Sequence, residues 1–427
     1  MDQPGPPLDG HRKGMPLNGS VAPELVAQQG WRLLAGDLPT PVAVLKTSAI
    51  EHNIAVMAHF CEAAGVRLAP HGKTTLSAEL IGRQLRAGAW GITVATPHQA
   101  ATVLDAGVRR ILLANEVVDR GALRWLGRQL QTVQDLDVLW YVDSHAGLAR
   151  AEQELAAVAA GHDTAGPVRR PGLLVELGHT GGRTGLRNDA EAIDLARAVQ
   201  ASPVVDLVGV AGYEGTIGTG RDPATLGDVE SFVSRVGEVF ARLRAEHLLS
   251  TERRSVVTAG GSLYFDVVAR VLGSQVDDHT DVVLRSGCYL THDHGLYAQG
   301  TPSTEPGWNG SAFAPALEVW GRVLSRPEPS LALADLGRRD VSHDAGLPVP
   351  LWHVADGEGL RRSLRTATVS GLSDQHAFVD LGDHRDVAVG DLIGFGISHP
   401  CTTFDKWPQL LEVDDDYRVT GLVRTRF

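Results

Sequence analysis

Lysine is scarce in this chain. Of 39 basic residues only four are lysines, Lys13, Lys46, Lys73 and Lys406; the rest are arginines. A chain that meets its need for positive charge with arginine keeps a lysine where a primary amine is wanted, since the guanidinium cannot supply one. A structural strand-end role is the plain alternative. Cysteine is also rare. Cys61, Cys288 and Cys401 are odd in number and widely spaced, which excludes a disulfide framework and fits a reducing, cytoplasmic setting. No apolar run is long enough to span a bilayer, so no membrane role is expected. No basic run offsets the net charge of -12, so nucleic acid is not an expected partner. The opening "MDQPGPPLDGHRKGMPLNG" has no apolar h-region, which argues against a secretory leader, and residues 1–20 are expected to form a mobile arm.

What is present is a regular alternation. Apolar, β-branched runs stand at Val66–Ala69, Ile92–Ala95, Arg110–Ala114, Val138–Val142, Leu173–Leu177, Leu207–Ala211, Val256–Thr258 and Val282–Leu284. Between most of them lie stretches such as "TTLSAELIGRQLRAG" and "DAEAIDLARAVQAS", whose apolar residues recur every three or four positions. Eight strand–helix units predict an α/β fold with a closed (β/α)8 barrel, spanning residues 40–302; an open doubly wound sheet is the runner-up. Beyond residue 303, short alternating runs broken by Gly, Asp and Pro predict a second, all-β domain, assigned residues 21–39 and 303–427. The segment "TPVAVLKTSAIEHNIAVM" reads as a strand and helix leading into the first barrel strand.

Barrel active sites form at the C-terminal ends of the strands. Lys73, in "VRLAPHGKTT", follows the first of these ends. The "GKTT" run is no phosphate-binding P-loop, because the glycine required five residues before Gly72 is Arg67. A Schiff-base lysine for pyridoxal phosphate is the better reading, given groups at other strand ends that suit an anion. Gly260, Gly261 and Ser262 follow strand seven, and Gly287 and Cys288 follow strand eight, where barrels commonly bind phosphate. Arg183, in "GHTGGRTG", and Tyr213, in "AGYEGT", either face a cofactor ring or belong to surface loops. In the β domain, "GFGISHPCTTFDKW" places His399 and Cys401 two apart at the end of a strand-like run. An imidazole and a thiol on one strand face suit zinc better than a hard cation and leave coordination positions open. "THDHG", with His292, Asp293 and His294, is a rival metal cluster, read as a solvated loop.

In combination these segments resemble the fold-type III pyridoxal-phosphate enzymes of the D-serine dehydratase and D-threonine aldolase family. "RLAPHGKT" is similar to its lysine motif, with Ala69 departing from it. "DLGRRDVSHDAGLP", through Asp335, Ser342, Asp344, Gly346 and Pro348, resembles its β-domain signature, and "DQHAFV" and "VGDLIGFGISHPCTT" resemble the stretches that build its metal site. The resemblance implies that Lys73 carries pyridoxal 5'-phosphate and later removes the substrate's α-proton. It places Arg183 near the ring hydroxyl, Tyr213, Ser262, Gly287 and Cys288 at the phosphate, and His399 and Cys401 on a divalent metal, zinc or else manganese. It implies a homodimer acting on a β-hydroxy-D-amino acid. The His-x-Cys pair, where D-threonine aldolases typically show His-x-Asp, favours dehydration to a 2-oxo acid and ammonia. Retro-aldol cleavage to glycine and an aldehyde is the alternative, and amino-acid racemisation a second one.

Overall fold

The computed structural model describes residues 7–161, 168–275, 277–305, 308 and 310–427. The eight apolar runs are eight strands: Arg67–Leu68, Ile92–Val94, Arg110–Glu116, Asp137–Val142, Gly172–Leu177, Asp206–Gly212, Ser255–Thr258 and Thr280–Leu284. All neighbours pair in parallel, and strand one pairs with strand eight. The two ends of this sheet meet. Trp90 N–H donates to Leu68 O at 2.7 Å, Thr93 N–H donates to Pro70 O at 3.0 Å, and His71 bridges Thr93, so the sheet closes into a (β/α)8 barrel.

Several barrel helices start on a side-chain cap. Thr96, Asp119, Ser144, Asn188 and Asp222 each accept a first-turn N–H, which fixes where the strand-end loop stops and the helix begins. Ala69, Leu112, Leu139, Tyr141, Leu174, Val208, Ala211, Val256 and Val283 fill the interior. A larger apolar layer lies between strands and helices. The interior is therefore a packed floor, and chemistry has room only above it.

The second domain is a largely antiparallel sheet built around the long strand Leu317–Glu328. Strand Val42–Lys46 belongs to this sheet: it pairs antiparallel with Leu317–Glu328 and parallel with Gln409–Val413. The expected barrel boundary at residue 40 is thus one strand early, and helix Thr47–Ala63 carries the chain across to the barrel. The physical reason is two-sided burial. Ala43 and Leu45 enter one apolar cluster of this domain, and Val42 and Val44 enter another.

The mobile arm is also corrected. Leu8–Asp9 pairs with Ser20–Val21, Met15 is buried, and Lys13 reaches Asp340 at 2.9 Å while lying over the Trp407 ring. Residues 1–6 of that expectation lie outside the described residues. No helix among the described residues is long and apolar enough to cross a membrane.

Candidate active site

A cavity of about 400 Å³ lies where the strand ends of the barrel face the β domain. Its walls bring together Lys73, Arg183, Tyr213, Gly261, Ser262, Gly287, Cys288, His399 and Cys401, every residue singled out for the site. A larger cleft of about 690 Å³ sits outside the barrel against Val56, Phe60 and Trp308 and has none of these groups on its wall.

Lys73 stands in a single turn, Gly72–Thr74, three residues beyond strand one. A Cβ at Gly72 would lie 2.9 Å from Ile92 Cγ2, so only glycine lets the turn approach strand two. Gly287 brings in the loop after strand eight in the same way; its Cβ would meet Thr74 Oγ1 at 2.5 Å and His71 O at 2.8 Å. Lys13, Lys46 and Lys406 lie within 4 Å of Asp340, Glu318 and Asp405 respectively. Among the described residues Lys73 alone of the four lysines has no carboxylate partner, although it lines a cavity. Beside it, burial and the positive charges of Lys73 and Arg285 hold His71 neutral, and its Nδ1 has no hydrogen-bond partner.

The remaining barrel groups are arranged around this amine. The Arg183 guanidinium lies 4.2 Å from the centre of the Tyr213 ring, so these two residues form one wall. Gly261 N–H donates to Glu214 Oε1 at 2.8 Å, and Glu214 is fully buried. This N–H, expected to face a phosphate, is therefore already committed to a carboxylate. Cys288 N–H donates to Ser262 Oγ at 3.2 Å, which couples the loops after strands seven and eight. Arg285 is buried at the head of the packed interior, with Nη1 on Thr258 Oγ1 at 2.5 Å and Nη2 on Gly212 O at 2.7 Å.

The β domain supplies the opposite chemistry. His399 and Cys401 converge as expected, but not as alternate residues of a strand. The strand ends at Gly396, His399 has φ 63°, and Cys401 opens the short helix Cys401–Phe404. A left-handed turn does what pleat alternation was expected to do. His399 Nδ1 is 2.5 Å from Asp344 Oδ2, and Asp344 Oδ1 accepts from Thr402 Oγ1 at 2.7 Å. That pairing makes Nδ1 the donor and leaves Nε2 as the atom for a metal. The β-domain signature thus acquires a physical meaning, because Ser342 Oγ also holds the loop through Ser398 O at 2.6 Å. Cys401 Sγ lies 3.4 Å from Cys288 Sγ and 3.4 Å from Thr74 Oγ1. Contact with Cys288 and the neighbouring His399 pulls the Cys401 thiol well below its usual pKa, while the same contact and burial push Cys288 up. His399 is raised to about 9, chiefly by Cys401 and then by Asp344. Sulfur and imidazole nitrogen so placed form a soft donor set that could hold a cation.

"THDHG" is not a solvated loop. His292 and Asp293 are buried, and Asp293 Oδ1 accepts from the N–H groups of Gly295, Tyr297 and Ala298. Its Oδ2 accepts from His399 N–H at 2.8 Å, so Asp293 fixes the loop that carries the imidazole. Sequence reasoning also passed over His71, Thr74, Tyr141, Tyr297, Glu214 and Arg285 as lining or supporting residues. Arg285, a charge ending the apolar run "DVVLR", carried a signal; Tyr141, inside "DVLWYV", carried none. A further group missed is Glu116, Asp143 and Glu176, at the ends of strands three to five, with acidic oxygens within 4.8 Å of one another. Burial, then the Glu176 hydrogen bond and charge, push Glu116 up to about 9, so Glu116 holds its proton at neutral pH.

Comparison with known proteins matches this architecture. The family described as "Alanine racemase, N-terminal domain" matches residues 45–270, and "Putative serine dehydratase domain" matches residues 316–413. The first match spans more than half of the chain. The chain therefore belongs to the alanine racemase N-terminal-domain family and, with both domains in this order, to the fold-type III pyridoxal-phosphate enzymes of the D-serine dehydratase and D-threonine aldolase group. It is 27% identical to a D-threonine aldolase of Arthrobacter sp over 88% of this chain and 89% of the relative. It is 29% identical to the D-threo-3-hydroxyaspartate dehydratase of Delftia sp. (strain HT23) over 61% of this chain and 75% of the relative. The solved D-threonine aldolase of Filomicrobium marinum superposes with a TM-score of 0.75 at 24% identity, covering 93% of this chain and 97% of that one.

Proposed function

We propose that the protein is a pyridoxal-phosphate- and metal-dependent lyase of β-hydroxy-D-amino acids, acting by dehydration and deamination. The observation that carries the reading is one cavity with a lysine amine free of carboxylate partners on its barrel wall and the His399–Cys401 pair on its β-domain wall. Relatives named D-threonine aldolase, 3-hydroxy-D-aspartate aldolase and D-threo-3-hydroxyaspartate dehydratase support the substrate class.

The residues fit both groups. Pyridoxal phosphate would be held by the Lys73 amine, with Ser262, Gly287 and Cys288 toward its phosphate and Arg183 and Tyr213 toward its ring; bound there it supplies an electron sink for charge developing at Cα. A divalent metal, zinc best matching thiolate plus imidazole, would be held by Cys401 and His399 Nε2 and would supply Lewis acidity toward the substrate's β-hydroxyl. The chain's own part is positional. Lys73, freed of any ion pair, takes the α-proton as general base. His71 stays neutral beside it and adds no competing positive charge. Asp344 and Asp293 hold the His399 ring and backbone so that the β-hydroxyl meets a fixed donor pair. The enamine that leaves hydrolyses to a 2-oxo acid and ammonia.

Cysteine in place of the aspartate of the His-x-Asp pattern favours dehydration; the aldolase relatives favour retro-aldol cleavage as the second reading. The test is product analysis. Purified protein loaded with cofactor and zinc is given D-serine, D-threonine and D-threo-3-hydroxyaspartate. Ammonia and a 2-oxo acid are expected, and both are lost with a chelator. Glycine with an aldehyde would overturn the dehydratase reading. Sedimentation at several concentrations tests the homodimer, the assembly this reading takes from the family.

A further inference from the structure

Two of the three cysteines face each other across the cavity. Cys288 begins the three-residue turn after barrel strand eight, and Cys401 begins the four-residue helix after His399. Their sulfurs are 3.4 Å apart, and both line the cavity, so a small solute that enters it reaches them. A disulfide needs about 2.05 Å, a closure of roughly 1.4 Å. Each cysteine sits on a short irregular element beside a loop, not inside a strand or long helix, so the closure asks little of the packed core. The third cysteine, Cys61, is buried in helix Thr47–Ala63, and burial pushes its thiol up to about 12, which makes it an internal control.

We infer that Cys288 and Cys401 are a peroxide-oxidisable pair whose disulfide staples the barrel to the β domain and withdraws the sulfur donor from the His399–Cys401 site. The step balances. One sulfur attacks the O–O bond of hydrogen peroxide, gives up two electrons and becomes a sulfenic acid as the first water leaves. The second sulfur displaces the hydroxyl from that sulfenic acid, forming the S–S bond and releasing the second water, which together carry off both thiol protons. A dithiol reverses the bond by exchange. Donor loss rests on the reading that Cys401 binds metal; formation of the crosslink does not.

The experiment treats the full chain with hydrogen peroxide, once zinc-loaded and once after chelator stripping. Free thiols are then alkylated, the protein is digested without reductant, and peptides are read by mass spectrometry. The expected result is a Cys288–Cys401 peptide pair lighter by two hydrogens, with Cys61 alkylated. The stripped protein should react faster, and each crosslink in the zinc-loaded protein should release one zinc, detected with a chromogenic chelator and regained after dithiothreitol. In C288S the crosslink should vanish and Cys401 should be trapped as a sulfenic acid. No crosslink in the stripped wild-type protein, or Cys401 oxidised while Cys288 stays alkylatable, overturns the inference. A crosslink without zinc release upholds the pair and overturns the metal assignment instead.

Discussion

Replacing Asp344 with asparagine isolates what holds the imidazole proposed to face the metal. In the native chain one carboxylate oxygen takes His399 Nδ1–H at 2.5 Å and the other takes the Thr402 hydroxyl at 2.7 Å. An asparagine has one acceptor oxygen, so either the ring or the hydroxyl loses its partner, and the amide nitrogen cannot accept from Nδ1–H. The negative charge that makes the ring a better donor also goes. Losses of this kind cost about 10–100-fold in metal affinity, or roughly 1.4–2.7 kcal/mol. The Asp344 side chain is 47% exposed, which screens the charge and places the expectation near the tenfold end. Zinc affinity is read by competition with a chromophoric chelator for wild-type, D344N and D344E protein at one pH. D344E should regain part of the loss, and melting of the metal-free proteins checks that folding is intact. Wild-type affinity in a folded D344N would refute the assignment of Nε2 as the metal-facing atom.

Other outcomes follow from particular contacts. Lys46→Met leaves Glu318, which is fully buried and also bonded to Trp320 and Tyr417, without its cation at 3.2 Å; a loss of about 3 kcal/mol in urea unfolding is expected. No change would mean the network tolerates an unpaired charge. Gly287→Ala drives a methyl into Thr74 and the His71 carbonyl, so a loss of about 1–3 kcal/mol and weakened cofactor binding are expected; normal binding would contradict the close packing of the lysine turn. Glu116, raised to about 9, takes up a proton on folding. Its contribution is therefore full below the unfolded value of about 4.5 and is lost as pH rises through about 9. Glu116→Gln should gain stability over wild type as pH goes from 5 to 9. One surviving unit of that shift is worth about 1.4 kcal/mol. Parallel curves for the two proteins would refute the raised Glu116.

The barrel was legible because most of its strands are buried on both faces and read as apolar runs, while the helices between them keep their own period. Strand Val42–Lys46 was misplaced by the same logic. Strand followed by helix is also the signature of a barrel unit, and only pairing with Leu317–Glu328, some 275 residues later, assigns it elsewhere. The N-terminal segment reads as loose from its Pro and Gly content, yet Met15 and Lys13 find partners in the distant β domain. Lys73 was legible because rarity marks it, and the other three lysines turn out to stand beside carboxylates. Asp293 and Glu214 were not, because their work is to hold backbone N–H groups from other loops, which no local spacing records.

The central claim is that the Lys73 amine is the covalent anchor of pyridoxal phosphate. Protein loaded with the cofactor is reduced with borohydride, digested and mapped by mass spectrometry. A phosphopyridoxyl group on Lys73 alone is the predicted result. The same group on Lys13, Lys46 or Lys406, or on no lysine, would contradict the account.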